Sequence, residues 1–373
     1  MRIVKLLRRK LRAVSRRRRE VRMFAAAIQH RTRPVLAQII PIRRCNLACA
    51  YCNEFDHASS PVTLPVMLAR IDKLAALGVS IITISGGEPL LHPELEQIIR
   101  RIRSHGAIAT LISNAYLLSP DRIRALNRAG LDYLQISIDN VEPDDISMKS
   151  LRVLERKLEW LARDAEFAVT INSVLGIDVR HPEDALAVAR RARSLGFNST
   201  VGIAHDGSGQ SQALPERQLR IYRDIRRLET GVFSFAHYDR FQENLVRGLP
   251  NQWHCHAGAR FLYICEDGLV HWCSQQRGTP GIPLADYTLE DVERQYAIQK
   301  SCAPSCGISC VHQTAMLDQI REDPRRMLQE LIERRRASEP DFRAPLLLRG
   351  IAWMFLDNPA IQKAFVRVLG VRR

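Results

Sequence analysis

Residues 35–52 read VLAQIIPIRRCNLACAYC. The first part, residues 35–42, is mainly apolar and rich in β-branched residues, which predicts a short buried strand. The strand leads directly into three thiols spaced C-x3-C-x2-C, namely Cys45, Cys49 and Cys52. Thiols this close in the chain can converge on one metal centre at little cost in loop entropy. The stretch therefore predicts a metal-binding loop at the carboxyl end of a buried strand.

The other six of the nine cysteines form two further groups in the 373-residue chain. They are Cys255, Cys265 and Cys273, then Cys302, Cys306 and Cys310. No run of about 18 or more apolar residues occurs, and the basic run 16–19 is not followed by the apolar region of a signal peptide. We therefore expect a cytoplasmic chain, in which grouped cysteines are metal ligands more often than disulfides.

A repeating strand and helix pattern follows the first cysteine loop. Strands are predicted near 80–85, 108–113, 133–137, 167–174 and 200–204, and helices near 65–77, 94–105, 121–129, 150–165 and 182–195. Six strands that alternate with helices predict an α/β fold in which a parallel sheet curves into a partial (β/α)6 TIM-like barrel. Residues 261–273 predict a hairpin that belongs to a small C-terminal cluster-binding module rather than to the barrel.

The charge is concentrated at the two ends of the chain. The formal net charge is +15, and residues 1–33 hold 13 Lys and Arg against one acidic residue. We divide the chain into a basic amphipathic N-terminal helix (1–33), the barrel (34–250), the auxiliary module (251–318) and a basic helical tail (319–373).

The basic ends predict a negatively charged partner, which could be an anionic membrane surface or a nucleic acid. A helix over residues 2–29 would carry an apolar stripe beside a basic face, formed by Ile3, Leu7, Leu11, Val14, Val21, Ala25 and Ile28. The tail has a second amphipathic candidate with Arg349, Trp353, Phe355, Lys363, Phe365 and Arg367. We favour a peripheral location on an anionic membrane over packing against the barrel. Nucleic acid is disfavoured because no series of aromatic residues for base stacking accompanies the charges.

The first cysteine loop, with Tyr51 before its last cysteine, resembles the cluster loop of the radical S-adenosylmethionine (SAM) superfamily. The resemblance implies that Cys45, Cys49 and Cys52 hold a [4Fe–4S] cluster whose fourth iron binds the amino and carboxylate groups of SAM. A zinc knuckle is the alternative, but its second cysteine pair is usually nearby, and here none follows before Cys255.

Further motifs support the same resemblance. Residues 85–89, SGGEP, are similar to the motif that binds the SAM amino group in this family, which implies roles for Gly86, Gly87 and Glu88. Residues 137–140, SIDN, resemble another SAM-contacting motif with Asn140 in place of the more usual glycine. The other implied SAM contacts are Ser113, Asn114, Ser137, Asp139 and, as a weaker candidate, Asn172.

The C-terminal cysteines resemble those of the SPASM/twitch auxiliary-cluster domains of this family. The resemblance implies one auxiliary [4Fe–4S] cluster held by Cys255, Cys273 and two of Cys302, Cys306 and Cys310. Cys265 is expected to be a buried, inert thiol. We expect packing rather than ligation for the four histidines of this region, His254, His256, His271 and His312. The auxiliary cluster could accept an electron from the substrate or serve only to hold the module together.

The resemblance, which covers about residues 34–315, implies reductive cleavage of SAM and abstraction of a hydrogen atom from a substrate. It also implies an electron donor such as flavodoxin or ferredoxin. His205 and Asp206 follow the sixth strand and are candidates for an acid/base pair or for substrate anchors, the alternative being a plain glycine-rich loop.

Three readings of the function remain. Only 44 residues precede Cys45, too few for the peptide-binding domain that many related peptide-modifying enzymes carry there. We therefore expect a small-molecule or lipid-like substrate, with an enzyme that modifies a peptide or protein as the alternative. A reading from another class is an iron–sulfur electron carrier or sensor, which the SAM-binding motifs argue against.

Overall fold

The computed structural model describes residues 2–52, 54–228, 240–323, 325–327, 329–330 and 332–333. They form an α/β fold on one nine-stranded sheet. The strands are β1 (Leu36–Ile39), β2 (Ile81–Ile84), β3 (Ile108–Ser113), β4 (Tyr133–Ser137), β5 (Ala168–Leu175), β6 (Asn198–Ile203), β7 (Phe261–Ile264), β8 (Leu269–His271) and β9 (Pro280–Pro283). The helices are α1 (Arg2–Gln29), α2 (Leu64–Ala76), α3 (Leu95–Ser104), α4 (Pro120–Ala129), α5 (Leu151–Asp164), α6 (Glu183–Ser194), α7 (Glu216–Leu228), α8 (Arg240–Leu245), α9 (Leu289–Ala297) and α10 (Ser309–Glu322).

The sheet has the strand order β6-β5-β4-β3-β2-β1-β7-β8-β9. Strands β1 to β7 pair in parallel, while β8 and β9 are antiparallel. The prediction of a parallel α/β sheet in a partial barrel is confirmed, and β3 and β4 have the predicted residues. In such folds ligands bind at the carboxyl ends of the strands, which is where the first cysteine loop begins.

The predicted hairpin continues the barrel sheet. We expected it to belong to a separate module, and this is wrong, because β7 pairs in parallel with β1 from Leu36 opposite Phe261 to Ile39 opposite Ile264. All four residues of β7 are buried. A strand that is apolar on both faces needs cover on both sides and a neighbour at its edge, and β1 provides that edge.

Alternate residues of the barrel strands face opposite sides of the sheet. In β5, Val169 and Ile171 are buried in the core that the helices form, whereas Thr170 and Asn172 are half-buried on the other, concave side. The neighbouring strands place further half-buried or buried polar side chains on this side, namely Thr83, Thr110, Gln135 and Thr200. The concave side is thus polar and differs from the packed core behind it.

Helix α1 has the predicted bounds and lies beneath the amino ends of the strands. Arg19 contacts Asp132, which directly precedes β4. Arg12 donates to the Asn127 carbonyl oxygen at 2.6 Å, near the end of α4, and pairs with Glu166 before β5 at 2.6 Å. The helix therefore lies at the amino ends of the strands, whereas the first cysteine loop leaves the carboxyl end of β1.

No helix within the described ranges is both long enough and apolar enough to cross a bilayer. The predicted second amphipathic segment, with Trp353, Phe355 and Phe365, lies outside the described residues. Helix α10 includes residues 319–322, the first residues of the predicted basic tail.

Candidate functional site

The first cysteine loop packs tightly on the turn after β2. A Cβ added at Gly86 would lie 2.5 Å from the carbonyl oxygen of Ile42, and one at Gly87 would lie 2.1 Å from that of Arg43. The Gly87 amide donates to the Ile42 oxygen at 3.1 Å. The two glycines therefore let the turn approach the backbone that carries the cysteines, a contact within the chain that the sequence motif does not reveal.

The three thiols of the first loop lie in one partly buried site. Burial raises the pKa of Cys45 and of Cys52, and the neighbouring Cys49 thiol raises both further. The Cys45 sulfur accepts from the Leu47 amide at 3.4 Å, and the Cys49 sulfur lies 3.7 Å from Ser147 Oγ. A metal would be needed to stabilise the thiolates, because the protein environment alone favours the protonated thiols of Cys45 and Cys52.

The number of thiols in the first loop bears on the choice between a cluster and a single ion. Structural zinc is usually held by four ligands, whereas the first loop supplies three thiols and no further cysteine follows before Cys255. Three thiols therefore fit a centre that leaves one position open for another ligand better than the zinc knuckle considered as the alternative.

Glu88 is fully buried at the centre of the site. Its Oε1 accepts from the Leu90 amide at 2.9 Å and from Ser113 Oγ at 2.8 Å, and its Oε2 accepts from the Asn114 amide at 2.8 Å. Burial raises the pKa of Glu88 to about 7, against the lowering effect of these donors. Glu88 thus fixes the end of β3 to the turn after β2, and Oε2 keeps capacity for one more donor.

Asn114 connects β3 to the cysteine loop. Its side-chain amide donates to Asn46 Oδ1 at 2.9 Å and lies 3.7 Å from the Cys45 sulfur. On the next strands, Ser137 is paired in register with Asn172, whose Oδ1 accepts from Thr200 Oγ1 at 2.9 Å. The predicted SAM contacts are therefore brought to the carboxyl ends of adjacent strands, and Asn172 is engaged in a contact between strands.

Asp139 anchors a polar network beside the cysteine loop. It accepts from Tyr51 Oη at 2.5 Å and Ser147 Oγ at 2.6 Å, and Lys149 Nζ lies 3.3 Å away. The Lys149 ammonium is also 4.8 Å from the centre of the Tyr51 ring. Burial lowers the pKa of Lys149, but the charge of Asp139 and the nearby Tyr51 raise it more, so its pKa lies above the usual value. Lys149 is therefore charged.

Sequence reasoning missed two members of this network, Ser147 and Lys149. Both lie in the irregular segment between β4 and α5, and a lone serine or lysine in a loop carries no motif. Only the fold brings them to the cysteine loop.

The C-terminal cysteines separate into a group of four and two others. Burial raises the pKa of Cys255 to about 12 and that of Cys273 to about 11, and the thiols of Cys302 and Cys306 raise both further. Burial also raises the pKa of Cys310 to about 11, but no other thiol contributes. Cys255, Cys273, Cys302 and Cys306 therefore influence one another electrostatically, whereas Cys310, in the first turn of α10, shows no such effect although it packs against the same buried cluster as Cys255 and Cys273.

Cys265 also lies apart from the four. After burial, the groups that affect its pKa are Arg277, Glu266, Asp267 and Glu54, and none is a thiol. Its sulfur lies within 4.8 Å of side-chain atoms of Asp267 and His271. His271 Nδ1 accepts from the Gly278 amide at 2.8 Å, which leaves the proton on Nε2, the atom that faces this trio. A protonated nitrogen is not a metal ligand.

The other histidines have packing contacts. His312 stacks on Phe241 at 4.7 Å between ring centres, and His256 lies 3.7 Å from the ring centre of Tyr296. Burial lowers the pKa of His256 to about 3. His254 Nε2 lies 3.1 Å from the Ile298 oxygen.

The loop after β6 contacts the segment that carries the C-terminal cysteines, residues 255–310, which we call the auxiliary segment. The Gly307 amide donates to the Gly209 oxygen at 2.8 Å, and the Ser211 amide donates to the Ser305 oxygen at 3.0 Å. Gln210 Nε2 donates to the Cys302 oxygen at 3.3 Å. The auxiliary segment therefore bridges from the β7 side of the open sheet to its β6 side.

His205 and Asp206 are in this loop, where hydrogen bonds from Ser208 and Gln210 lower the pKa of Asp206 and the neighbouring His205 lowers it further. Asp206 Oδ1 accepts from the amides of Ser208 and Gln210, both at 2.9 Å, and so closes the turn of the loop. His205 Nδ1 donates to the Asp206 backbone oxygen at 2.9 Å. These contacts give Asp206 a role in loop structure and leave His205 exposed beside the auxiliary segment.

Comparisons with known proteins address the family. The family described as "Radical SAM superfamily" matches residues 39–211. A PqqA peptide cyclase of Methylocella silvestris is 36% identical over 271 residues, 67% of this chain and 71% of the relative. A GTP 3',8-cyclase of Aquifex aeolicus is 31% identical over 259 residues, 62% of this chain and 78% of the relative.

Other relatives match over a shorter part. The PqqA peptide cyclase of Gluconobacter oxydans is 34% identical over 172 residues, and the match spans 46% of its length. Among solved structures, Streptococcus suis SuiB bound to precursor peptide SuiA has a TM-score of 0.51 at 16% identity, with 78% of this chain and 74% of that chain covered. At this identity the likeness shows the fold.

Proposed function

Since the chain belongs to the radical SAM superfamily, we propose that it is an enzyme that cleaves SAM reductively and uses the resulting 5′-deoxyadenosyl radical to modify a peptide. The bond-breaking chemistry is supplied by a [4Fe–4S] cluster with SAM when both are bound. This chain holds the cluster, positions the substrate C–H bond and excludes water. A one-electron donor such as flavodoxin or ferredoxin is part of the proposal.

The observation that carries the proposal is the placement of two thiol groups around one polar concave face. Cys45, Cys49 and Cys52 follow the end of β1, and three thiolates would leave one iron of a [4Fe–4S] cluster free for SAM. We propose Asn114, Ser137 and the free acceptor capacity of Glu88 as the SAM contacts, with Gly86 and Gly87 holding the turn in place.

Four thiols are proposed to hold the auxiliary cluster, namely Cys255, Cys273, Cys302 and Cys306. Cys310 is left out of this set because no thiol of the group affects its titration. The loop that contains His205 contacts this segment, so a substrate bound at the concave face would meet both. We propose His205 as a substrate anchor and Asp206 as a residue that shapes the loop.

The relatives favour a peptide over the small-molecule or lipid-like substrate expected from the sequence. The peptide cyclase of Methylocella silvestris matches over about two thirds of both chains. A small-molecule substrate is the second candidate, favoured by the GTP 3',8-cyclase match over 78% of that relative. A cytoplasmic location with peripheral membrane binding remains a prediction.

The test has two parts. Anaerobic incubation of the reconstituted protein with SAM and dithionite should form 5′-deoxyadenosine, which an electron carrier or sensor would not form. Cys49→Ala should abolish this product, and the matched control Cys265→Ala should retain it. The proposal fails if the wild type forms none.

The substrate class is tested by mass spectrometry of peptides and metabolites from cells with and without the gene. A peptide whose mass changes only when the gene is present supports the peptide reading. A change confined to a small metabolite supports the second candidate instead.

A further inference from the structure

The basic residues of helix α1 divide into two sets with different surroundings. Arg9 donates to the carbonyl oxygens of Ala162 and Arg163 at 2.9 and 2.8 Å, at the end of α5. Arg12 donates to the Asn127 carbonyl oxygen near the end of α4 and pairs with Glu166 before β5, and Arg19 pairs with Asp132 before β4. Guanidinium groups at helix carboxyl ends satisfy carbonyls and complement the helix dipole. Over residues 9–19, the inward face of α1 is therefore its charged face.

From Leu7 to Phe24 the exposed apolar side chains of α1 face away from the barrel, whereas Ile28, the last residue of the predicted stripe, is buried. Leu7, Leu11, Val14, Val21 and Phe24 are between 44% and 61% exposed. This is the reverse of an ordinary surface helix, whose apolar face covers the core. The second set of basic residues is exposed along the same outer face, namely Arg8, Lys10, Arg18 and Arg22.

We propose that the outer face of α1 docks on an anionic lipid surface. The apolar side chains would enter the boundary between headgroups and acyl chains, and the basic side chains beside them would meet lipid phosphates. Charge complementarity selects this occupant. A second copy of α1 would bring Arg18 and Arg22 against the same positive charges, and a purely apolar partner would leave them without counter-charges.

The docked geometry has a consequence for the substrate. Helix α1 lies at the amino ends of the strands, whereas the first cysteine loop leaves the carboxyl end of β1. A chain that docks through α1 therefore directs its concave site away from the lipid. This orientation suits a peptide that arrives from the aqueous side.

The experiment is vesicle flotation of the full chain with its clusters reconstituted. Vesicles are phosphatidylcholine alone, or phosphatidylcholine and phosphatidylglycerol in equal parts. We expect recovery with the mixed vesicles only, and loss of recovery when the salt concentration is raised from about 0.1 M to about 1 M, because the Debye length falls from about 10 Å to about 3 Å.

Matched variants separate the two contributions. Leu11→Ser, Val14→Ser and Val21→Ser together should weaken partitioning by about tenfold or more, because three exposed apolar groups no longer enter the bilayer. Val66→Ser with Ile177→Ser, at side chains 44% and 54% exposed elsewhere on the surface, should leave it unchanged. Arg18→Gln with Arg22→Gln should weaken binding to mixed vesicles, and Arg100→Gln with Arg190→Gln should not.

Far-UV circular dichroism and iron content should be the same in all variants, since every substituted side chain is exposed. The proposal is overturned if the intact chain does not float with mixed vesicles. It is also overturned if recovery is equal with neutral vesicles, or if the serine variant abolishes self-association of the chain without changing flotation. A negative flotation result has no bearing on 5′-deoxyadenosine formation, so the proposed function is judged separately.

Discussion

Glu54 and Arg277 join the two cysteine regions across the concave face. Arg277 Nη2 lies 3.0 Å from Glu54 Oε2, which also accepts from Tyr263 Oη at 2.5 Å. Glu54 follows Cys52 by two residues, and Arg277 follows Cys273 by four. The ion pair therefore connects the first cysteine loop to the auxiliary segment, with Tyr263 of β7 between them.

Replacing Arg277 with Gln should destabilise the chain by about 1–3 kcal/mol, because Glu54 is largely buried and would lose its counter-charge. Thermal unfolding of the anaerobic protein measures the effect. Arg294→Gln is the matched control, since its pair with Asp291 at 3.1 Å involves a guanidinium that is 64% exposed. Equal midpoints for the two variants would show that the pair contributes nothing.

The iron content should follow the two thiol groups. Reconstituted wild type should hold about eight irons per chain if each group binds a [4Fe–4S] centre. Replacing Cys45, Cys49 and Cys52 with Ala should leave about four irons. Replacing both Cys255 and Cys273 with Ala should also leave about four. Iron analysis with electron paramagnetic resonance distinguishes the two residual centres.

The Cys310→Ala variant tests which of Cys302, Cys306 and Cys310 is not a cluster ligand, a choice that the sequence left open. We expect this variant to keep about eight irons, because no thiol of the group contributes to the raised pKa of Cys310. Cys306→Ala is the comparison, and it should lose the auxiliary centre. Loss of iron in Cys310→Ala with retention in Cys306→Ala would reverse the assignment.

Glu88 should make stability depend on pH near neutrality. Burial raises its pKa from 4.5 to about 7, so the folded chain favours the neutral form. Its stabilising contribution is therefore full below about pH 4.5 and is lost as the pH rises through about 7. Glu88→Gln cannot ionise, so the stability of the wild type relative to this variant should fall between about pH 5 and pH 8.

Thermal unfolding of both proteins across this range measures the difference. Glu142→Gln is the control, because Glu142 is 57% exposed and pairs with the exposed Arg152. A wild-type minus Glu88→Gln difference that stays constant from about pH 5 to about pH 8 contradicts a raised pKa.

The sequence predicted the barrel well because its signals are local. The residues of β3 and β4 alternate and are bounded by helices with glycine ends, so their limits could be placed to the residue. The bounds of α1 were also predicted, but its orientation was not. Apolar periodicity shows that α1 has an apolar face and a basic face. It cannot show that the basic face is the one that contacts the barrel.

The site could be predicted only where it carries a motif. Cys45, Cys49 and Cys52 stand in a recognisable spacing, whereas the choice among Cys302, Cys306 and Cys310 depends on where α10 begins. Lys149 lies near Tyr51 only because β4 and its following loop return to the first cysteine loop. Such contacts between distant segments leave no trace in a single sequence.

Loss of Arg260 should affect the fold strongly. Its guanidinium is fully buried and donates to the oxygens of His30, Arg33 and Ala27 at 2.5, 2.7 and 2.6 Å, at and beyond the end of α1. Its Nε also lies 3.0 Å from Asp318 of α10. One side chain thus donates to three carbonyls and forms an ion pair with a buried carboxylate, which connects α1, the residue before β7 and α10.

Arg260→Lys should destabilise the chain by about 3–5 kcal/mol, because an ammonium cannot reach all four partners and leaves buried acceptors unpaired. Arg294→Lys at the surface should cost less than about 1 kcal/mol. Asp318→Asn should also destabilise, and the double variant should lose less than the sum of the two, because the residues share one ion pair. Denaturant unfolding of the four proteins gives the coupling, and strictly additive losses would mean that Arg260 acts through the carbonyls alone.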